Sequence, residues 1–202
     1  MLAPNGMFSQ VPAVITPQNH DRIIRLTRLP KLGHHAPHLG ISITDTGGVG
    51  STDVEGELGI VIGQECKEVS EAEAPDYIFG YTCINDVTAV ELISKDKTFA
   101  QWVRSKSFDT FGVYGPVIAT GLDPAALVVK TVLNGDERQN YPVSDMIFQP
   151  LRLVSRISHD MTLMAGDVIC CGTSIGVGSM KEESNTVEVT IDGIGTLSNV
   201  FE

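Results

Sequence analysis

A mainly β, α+β fold with short peripheral helices is the architecture this sequence predicts, and three observations carry it. Tight-turn dipeptides stand between apolar runs at Asn134-Gly135 and Asp192-Gly193. Thr186 to Ile191 alternates cleanly, with Val187, Val189 and Ile191 set against Glu188 and Thr190, the signature of a half-buried strand. Stretches of helical periodicity are few and short. Together these imply a curled or rolled sheet, not a doubly wound one.

Taken in order, residues 1–53 hold five prolines and four of the five histidines, with little sustained periodicity. Within them Asp21 to Leu29 fits a strand or a short helix equally. Thr44 to Thr52 reads as a loop feeding the first clear strand, the run Leu58 to Gly63. Glu65 to Asp76 reads as a loop with a short surface helix, Tyr77 to Ile84 as a strand, and Val87 to Lys95 as a helix. Thr98 to Gln101 has the form of a capping box opening a helix with Phe99, Trp102 and Val103 on its apolar side. Arg104 to Pro116 reads as a loop. Leu127 to Leu133 and Glu137 to Val143 form a hairpin. Pro150 opens a helix through Ile157 whose inward face is Leu151, Val154 and Ile157. Val168 to Gly172 is a strand, Gly172 to Gly178 a glycine-rich loop, and Thr186 to Ile191 and Ile194 to Phe201 a final hairpin.

The 202 residues, 42% hydrophobic and 19% charged, suffice for one compact core. A formal net charge of -11 has the wrong sign for nucleic acid or an anionic membrane. No run approaches the roughly 18 apolar residues of a membrane span. Met1 to Gln18 lacks Lys, Arg and a long apolar block, unlike a signal peptide. Cys66, Cys83, Cys170 and Cys171 show no C-x-x-C spacing and read as reduced, buried small hydrophobes, which fits a cytoplasmic protein.

Chemistry concentrates at Glu55-Gly56-Glu57, heading the first clear strand. Side chains two apart on a strand share a face about 7 Å apart, so both carboxylates reach one hard cation or form a solvated acidic pair. Asp86, at a strand-to-helix junction, is a third oxygen donor or an N-cap. Three carboxylates plus water suit Mg²⁺ or Mn²⁺, at which a 2-oxo acid can chelate. Lys106, flanked by Trp102 and Phe108, either holds a substrate carboxylate or moves a proton, or is a solvated surface lysine. The Gly172 to Gly178 loop offers backbone N–H groups and the hydroxyls of Thr173 and Ser174 to an anion, and is not a Walker A loop. His34, His35 and His38 have zinc-like spacing, but Gly33 and Pro37 oppose a helix there. His159 follows the Leu151 helix as a partner of its dipole.

The stretches Glu55-Gly-Glu57-Leu-Gly-Ile-Val-Ile-Gly63, Phe79-Gly-Tyr-Thr-Cys-Ile-Asn-Asp86-Val-Thr-Ala89, Lys106-Ser-Phe-Asp-Thr-Phe, Tyr114-Gly-Pro-Val-Ile, Asn134-Gly135, Asp145-Met-Ile-Phe148, Thr162-Leu-x-x-Gly-Asp-Val-Ile169, Gly172-Thr-x-x-Gly-Val-Gly178 and Gly193-Ile-Gly-Thr-Leu197 follow one another in order. With them, residues 53–202 resemble the catalytic C-terminal domain of the fumarylacetoacetate hydrolase superfamily, leaving 1–52 as a divergent segment, a lid or a remnant. The resemblance implies a mixed β-roll, commonly a homodimer, with Mg²⁺ or Mn²⁺ on Glu55, Glu57 and Asp86. Lys106 would bind or polarise the substrate, and Thr173 would hydrogen-bond its carboxylate. The substrate would be a small 2-oxo acid of the acylpyruvate or oxaloacetate type, cleaved at a C–C bond by hydrolysis or decarboxylation through a metal-chelated enolate. The alternatives are a double-bond isomerase of the 2-hydroxyhepta-2,4-diene-1,7-dioate type, or a catalytically silent, metal-stabilised homo-oligomer. Two departures from the family pattern stand out. Val90 occupies the place of an arginine that helps many members bind substrate, and the water-activating His and Glu have no clean copy, His20 in Asn19-His20-Asp21 being the nearest approximation to a general base.

Overall fold

The computed structural model of the protein describes residues 50–202, together with the backbone of two short strands before them. Those strands are β1 (Ile23–Arg25) and β2 (Ser42–Ile43). His20 and the histidines at 34, 35 and 38 lie outside the described residues, so the general-base and zinc expectations do too.

The elements that follow are β3 (Thr52–Val54), β4 (Gly56–Ile62), β5 (Ile78–Asn85), β6 (Thr88–Ala89), α1 (Val90–Ile93), α2 (Trp102–Lys106) and β7 (Val113–Ala119). Then come β8 (Val128–Leu133), β9 (Asp136–Pro142), α3 (Pro150–Asp160), β10 (Val168–Cys170), β11 (Gly178–Met180), β12 (Asn185–Ile191) and β13 (Gly195–Phe201). They form three sheets, ordered β1-β7-β5-β4-β10, β11-β3-β6 and β2-β13-β12-β8-β9. Neighbours are antiparallel except the parallel pair β13 and β2. The expected mainly β fold is what forms.

The two five-stranded sheets pack face to face. Val187, Val189 and Ile191 of β12, with Val129 and Leu197, meet Leu58, Ile60, Ile62 and Cys83 of the other sheet in one apolar cluster. Every residue of β4 is buried, on both faces, which is why its sequence runs apolar without alternation. β12 is covered on one side only and keeps its alternation. α3 closes one end of the core with Val154 buried and Leu151 and Ile157 packed against the cluster, as its spacing predicts.

Four expectations are corrected. Helix does not begin at Val87: Thr88–Ala89 pair with Asp53 and Thr52 as β6, and only the four residues of α1 are helical. The capping box at Thr98 does not form, because its N–H and hydroxyl both donate to Asp96 Oδ1. The expected apolar side of α2 faces outward, with Phe99 71%, Trp102 56% and Val103 81% exposed. The orientation of α2 is set instead by Ser105, which is buried, and by Lys106, which is drawn to acids. Finally, the segment read as a loop up to Pro116 already contains the start of β7, a strand paired with both β1 and β5. Pro116 falls outside the paired positions on either side, where the β5 and β7 register breaks between Tyr81 and Cys83, so its missing N–H removes no ladder bond.

The four cysteines are free. Cys66 and Cys83 are buried as expected, but Cys171 is only partly so and Cys170 is exposed, at the end of edge strand β10. Among the described residues no helix is long and apolar enough to cross a membrane.

Gly80 shows how tightly the first sheet is drawn together: a Cβ there would lie 2.5 Å from the carbonyl oxygen of Ala119 on β7. A backbone atom cannot rotate away. Gly80→Ala is therefore expected to destabilise the protein by about 1–3 kcal/mol, read as a lower denaturation midpoint with an unchanged slope.

Candidate metal and substrate site

The antiparallel pairing of β4 with β5 builds the site. It sets Gly56 opposite Asn85, so Glu55 and Glu57 flank the point where β5 ends and Asp86 begins. The Asp86 N–H donates to the Glu55 carbonyl at 2.9 Å and holds the two turns together. One carboxylate oxygen from each of Glu55, Glu57 and Asp86 lies within 4.8 Å of the others. The N-cap alternative for Asp86 does not apply, since α1 is preceded by Ala89 and has no side-chain cap. Gly56 between the glutamates permits close packing: a Cβ there would overlap Thr131 Oγ1 at 1.8 Å.

Lys106 reaches into this cluster from α2. Its Nζ lies 2.5 Å from Asp86 Oδ2, 3.3 Å from Glu55 Oε2 and 2.8 Å from Thr88 Oγ1. Thr88 in turn donates to Glu55 Oε1 at 2.8 Å. The solvated-lysine alternative is thereby excluded. Burial works to lower the Lys106 pKa, but the hydrogen bond and charge of Asp86, with those of Glu55, outweigh it and raise it. Lys106 is held as a cation, suited to binding an anion and unsuited to accepting a proton.

Glu57 is the most enclosed of the acids, 2% exposed. Burial first, then the charges of Asp86 and Glu55, push its pKa up to about 7, against the opposing pull of the Gly172 N–H and Lys106. The Gly172 amide donates to Glu57 Oε2 at 2.8 Å, joining the glycine-rich loop to the acids. When all three acids are ionised, Lys106 leaves two negative charges in excess. An all-oxygen donor set with that excess matches the chemistry of a hard divalent cation, so the residues fit Mg²⁺ or Mn²⁺.

Thr173 sits beside this centre, its hydroxyl engaged within the protein: it donates to the Gly56 carbonyl at 2.9 Å and accepts from Gln139 Nε2 at 2.7 Å. Val90 is half-buried at the start of α1, two residues beyond Thr88. His159 is apart from the centre, exposed in the last turn of α3, with Nδ1 2.8 Å from the Ser155 carbonyl. Sequence reasoning missed Thr88, Gln139 and Tyr141. Gln139 had a usable signal: it shares strand parity with Tyr141 on the buried face of β9, where a polar residue needs a partner.

Comparison with known proteins shows the family. The family model for the fumarylacetoacetate (FAA) hydrolase C-terminal region matches residues 6–202. The chain belongs to the fumarylacetoacetate hydrolase family. The match extends through most of the segment before residue 53, and β1 and β2 from that segment pair within the two large sheets. Oxaloacetate tautomerase YisK of Bacillus subtilis is 42% identical over 156 residues, 73% of this chain and 51% of that protein. The structure of 2-hydroxyhepta-2,4-diene-1,7-dioate isomerase from Mycobacterium marinum superposes with a TM-score of 0.73 at 44% identity, over 82% of this chain and 63% of that one. Fumarylacetoacetate hydrolase from Exiguobacterium antarcticum gives 0.72 at 36% identity, over 82% and 61%. The chain spans only 54–60% of the length of three further curated relatives.

The raised Glu57 pKa has a thermodynamic sign. Its proton is bound more tightly in the folded state, so metal-free stability is lost as pH rises from the ordinary carboxylate range through about 7. In chelator, Glu57→Gln is expected to melt at least about 4 °C above the parent at pH 8, with the gap closing towards pH 4.5. Thermal melts across that range check it.

Proposed function

We propose that this chain carries the active centre of a divalent-metal-dependent enzyme acting on a small 2-oxo acid of the oxaloacetate or acylpyruvate type. The observation that carries the reading is the convergence of Glu55, Glu57 and Asp86 with the Lys106 ammonium in one partly enclosed cluster. Glu55, Glu57 and Asp86 would hold Mg²⁺ or Mn²⁺. When bound, such an ion supplies a Lewis acid that polarises the 2-oxo group and eases loss of a proton or a carbon substituent at C3.

The protein's own residues do the rest. Lys106 keeps its proton and presents a cation to the substrate's carboxylate or to the oxygen on which negative charge grows. Thr173 and the glycine-rich loop orient the 1-carboxylate. Thr88 holds the Glu55 carboxylate by its hydroxyl, and the enclosure of Glu57 keeps bulk water from that ligand. The expected outcome at C3 is C–C cleavage, by hydrolysis or decarboxylation. A second reading, proton return without cleavage, has support in the tautomerase at 42% identity and the isomerase at 44%. Both readings need the same ligands; only cleavage by hydrolysis needs an activated water. As a whole protein, we propose a cytoplasmic homodimer with no nucleic-acid or membrane partner.

A panel of 2-oxo acids, oxaloacetate and acetylpyruvate among them, assayed with Mg²⁺, Mn²⁺ and chelator and followed by NMR, tests the reading. Turnover is expected with either ion and not with chelator, and the NMR spectra separate cleavage from isomerisation. Glu57→Ala should abolish turnover with the fold retained, and Lys106→Met should lower kcat/KM by about 100-fold or more. A parent inert towards every acid with every divalent ion would leave the silent, metal-stabilised homo-oligomer as the answer.

A further inference from the structure

Behind the acids lies a polar knot centred on Gln139, a residue the reading above does not use. Gln139 is buried in β9, and its side-chain amide makes three hydrogen bonds. Its Oε1 accepts from the Gly56 N–H at 3.0 Å. Its Nε2 donates to Thr173 Oγ1 at 2.7 Å and to the Ser174 carbonyl at 2.9 Å. The amide has only one workable orientation, because turning it over would set oxygen against the Ser174 carbonyl and N–H against N–H at Gly56. A bulge aims it there: Thr131 pairs with Gln139 and Val132 with Glu137, leaving Arg138 as the extra residue.

These bonds join two pieces of chain far apart in sequence. Gly56 links Glu55 to Glu57: the bond to its N–H fixes the peptide plane shared with Glu55, and the donors to its carbonyl, Thr173 among them, fix the plane shared with Glu57. Thr173 and Ser174 belong to the loop whose Gly172 N–H binds Glu57. The Gly56 carbonyl has two donors, Thr173 Oγ1 and Tyr141 Oη, each at 2.9 Å. Thr173 can therefore turn its proton to a substrate oxygen while Tyr141 keeps the carbonyl satisfied and Gln139 keeps the Thr173 oxygen in place.

We infer that Gln139 is a positioning residue, holding the glutamate pair and the Thr173 loop in one fixed relation so that cation and substrate carboxylate are placed together. The inference rests on the roles proposed above for Glu55, Glu57 and Thr173. Groups that orient ligands in this way change metal affinity by about 10–100-fold when removed.

The test is a double-mutant cycle on the intact chain, read by calorimetry with Mn²⁺ alone and then with pyruvate added to the Mn²⁺-loaded protein. Gln139→Met is expected to weaken Mn²⁺ binding about tenfold or more, and pyruvate binding about tenfold. In a Thr173→Val background its effect on pyruvate should shrink below about twofold while its effect on Mn²⁺ persists, a pattern that general loosening of the fold does not produce. Mn²⁺ affinity within about twofold of the parent, or a full pyruvate effect without Thr173, overturns the inference. Should Gln139→Met not fold, Gln139→Glu keeps the acceptor for the Gly56 N–H and is expected to bind Mn²⁺ at least as tightly as the parent. A tenfold loss there overturns the inference as well. A parent that binds Mn²⁺ and pyruvate but turns over no 2-oxo acid refutes the proposed activity alone, since the binding cycle still reads Gln139. A parent that binds neither refutes both.

Discussion

Like charges gathered in a confined space dominate this molecule. Three carboxylates whose oxygens approach within 4.8 Å repel one another, and one of them is almost wholly withdrawn from water. Such an arrangement survives only if opposite charge and donated hydrogen bonds offset it. Lys106, the Thr88 hydroxyl and the Gly172 amide supply part of that compensation, each from a different segment of chain. The sheets can thus be understood as the frame that brings these donors to one place against the acids' mutual repulsion. The deeply buried β4 supplies the rigidity, with apolar residues on both faces and the enclosed Glu57 near its start.

How much of this could be read from the residues depended on whether the controlling interaction was local. The hairpin at Asn134-Gly135, the alternation of β12 and the amphipathic α3 all follow from neighbours in sequence, and all formed as expected. The convergence of Glu55 and Glu57 is likewise set close by in sequence, Glu55 being the one residue between β3 and β4. Asp86 depended on pairing with a second strand, so the residues alone left it open between ligand and cap. The errors fall where distant contacts overrule local preference. Trp102 and its apolar neighbours have the spacing of a buried helix face, yet α2 turns Lys106 inward because ionic attraction outweighs what so short a helix gains by hiding three side chains. Gly115 and Pro116 read as breakers, yet β7 carries them at a register break.

Gln139 illustrates a further kind of residue, one whose importance is invisible in composition. Among the charged and polar residues of β9 it looks like any solvent-facing side chain. Only its parity with Tyr141, and a bulge that no propensity announces, turn it towards the glutamates. Satisfying a backbone N–H beside a cluster of anions with an uncharged amide adds no further charge to a place already crowded with it.

The outward face of α2 has a consequence of its own. Trp102 is the chain's sole tryptophan, half-exposed and four residues from Lys106 on the same single turn of helix. Any shift of α2 that accompanied release of that ammonium from Asp86 would carry the indole with it, so the emission spectrum offers an optical gauge of the molecule's charge balance without any label.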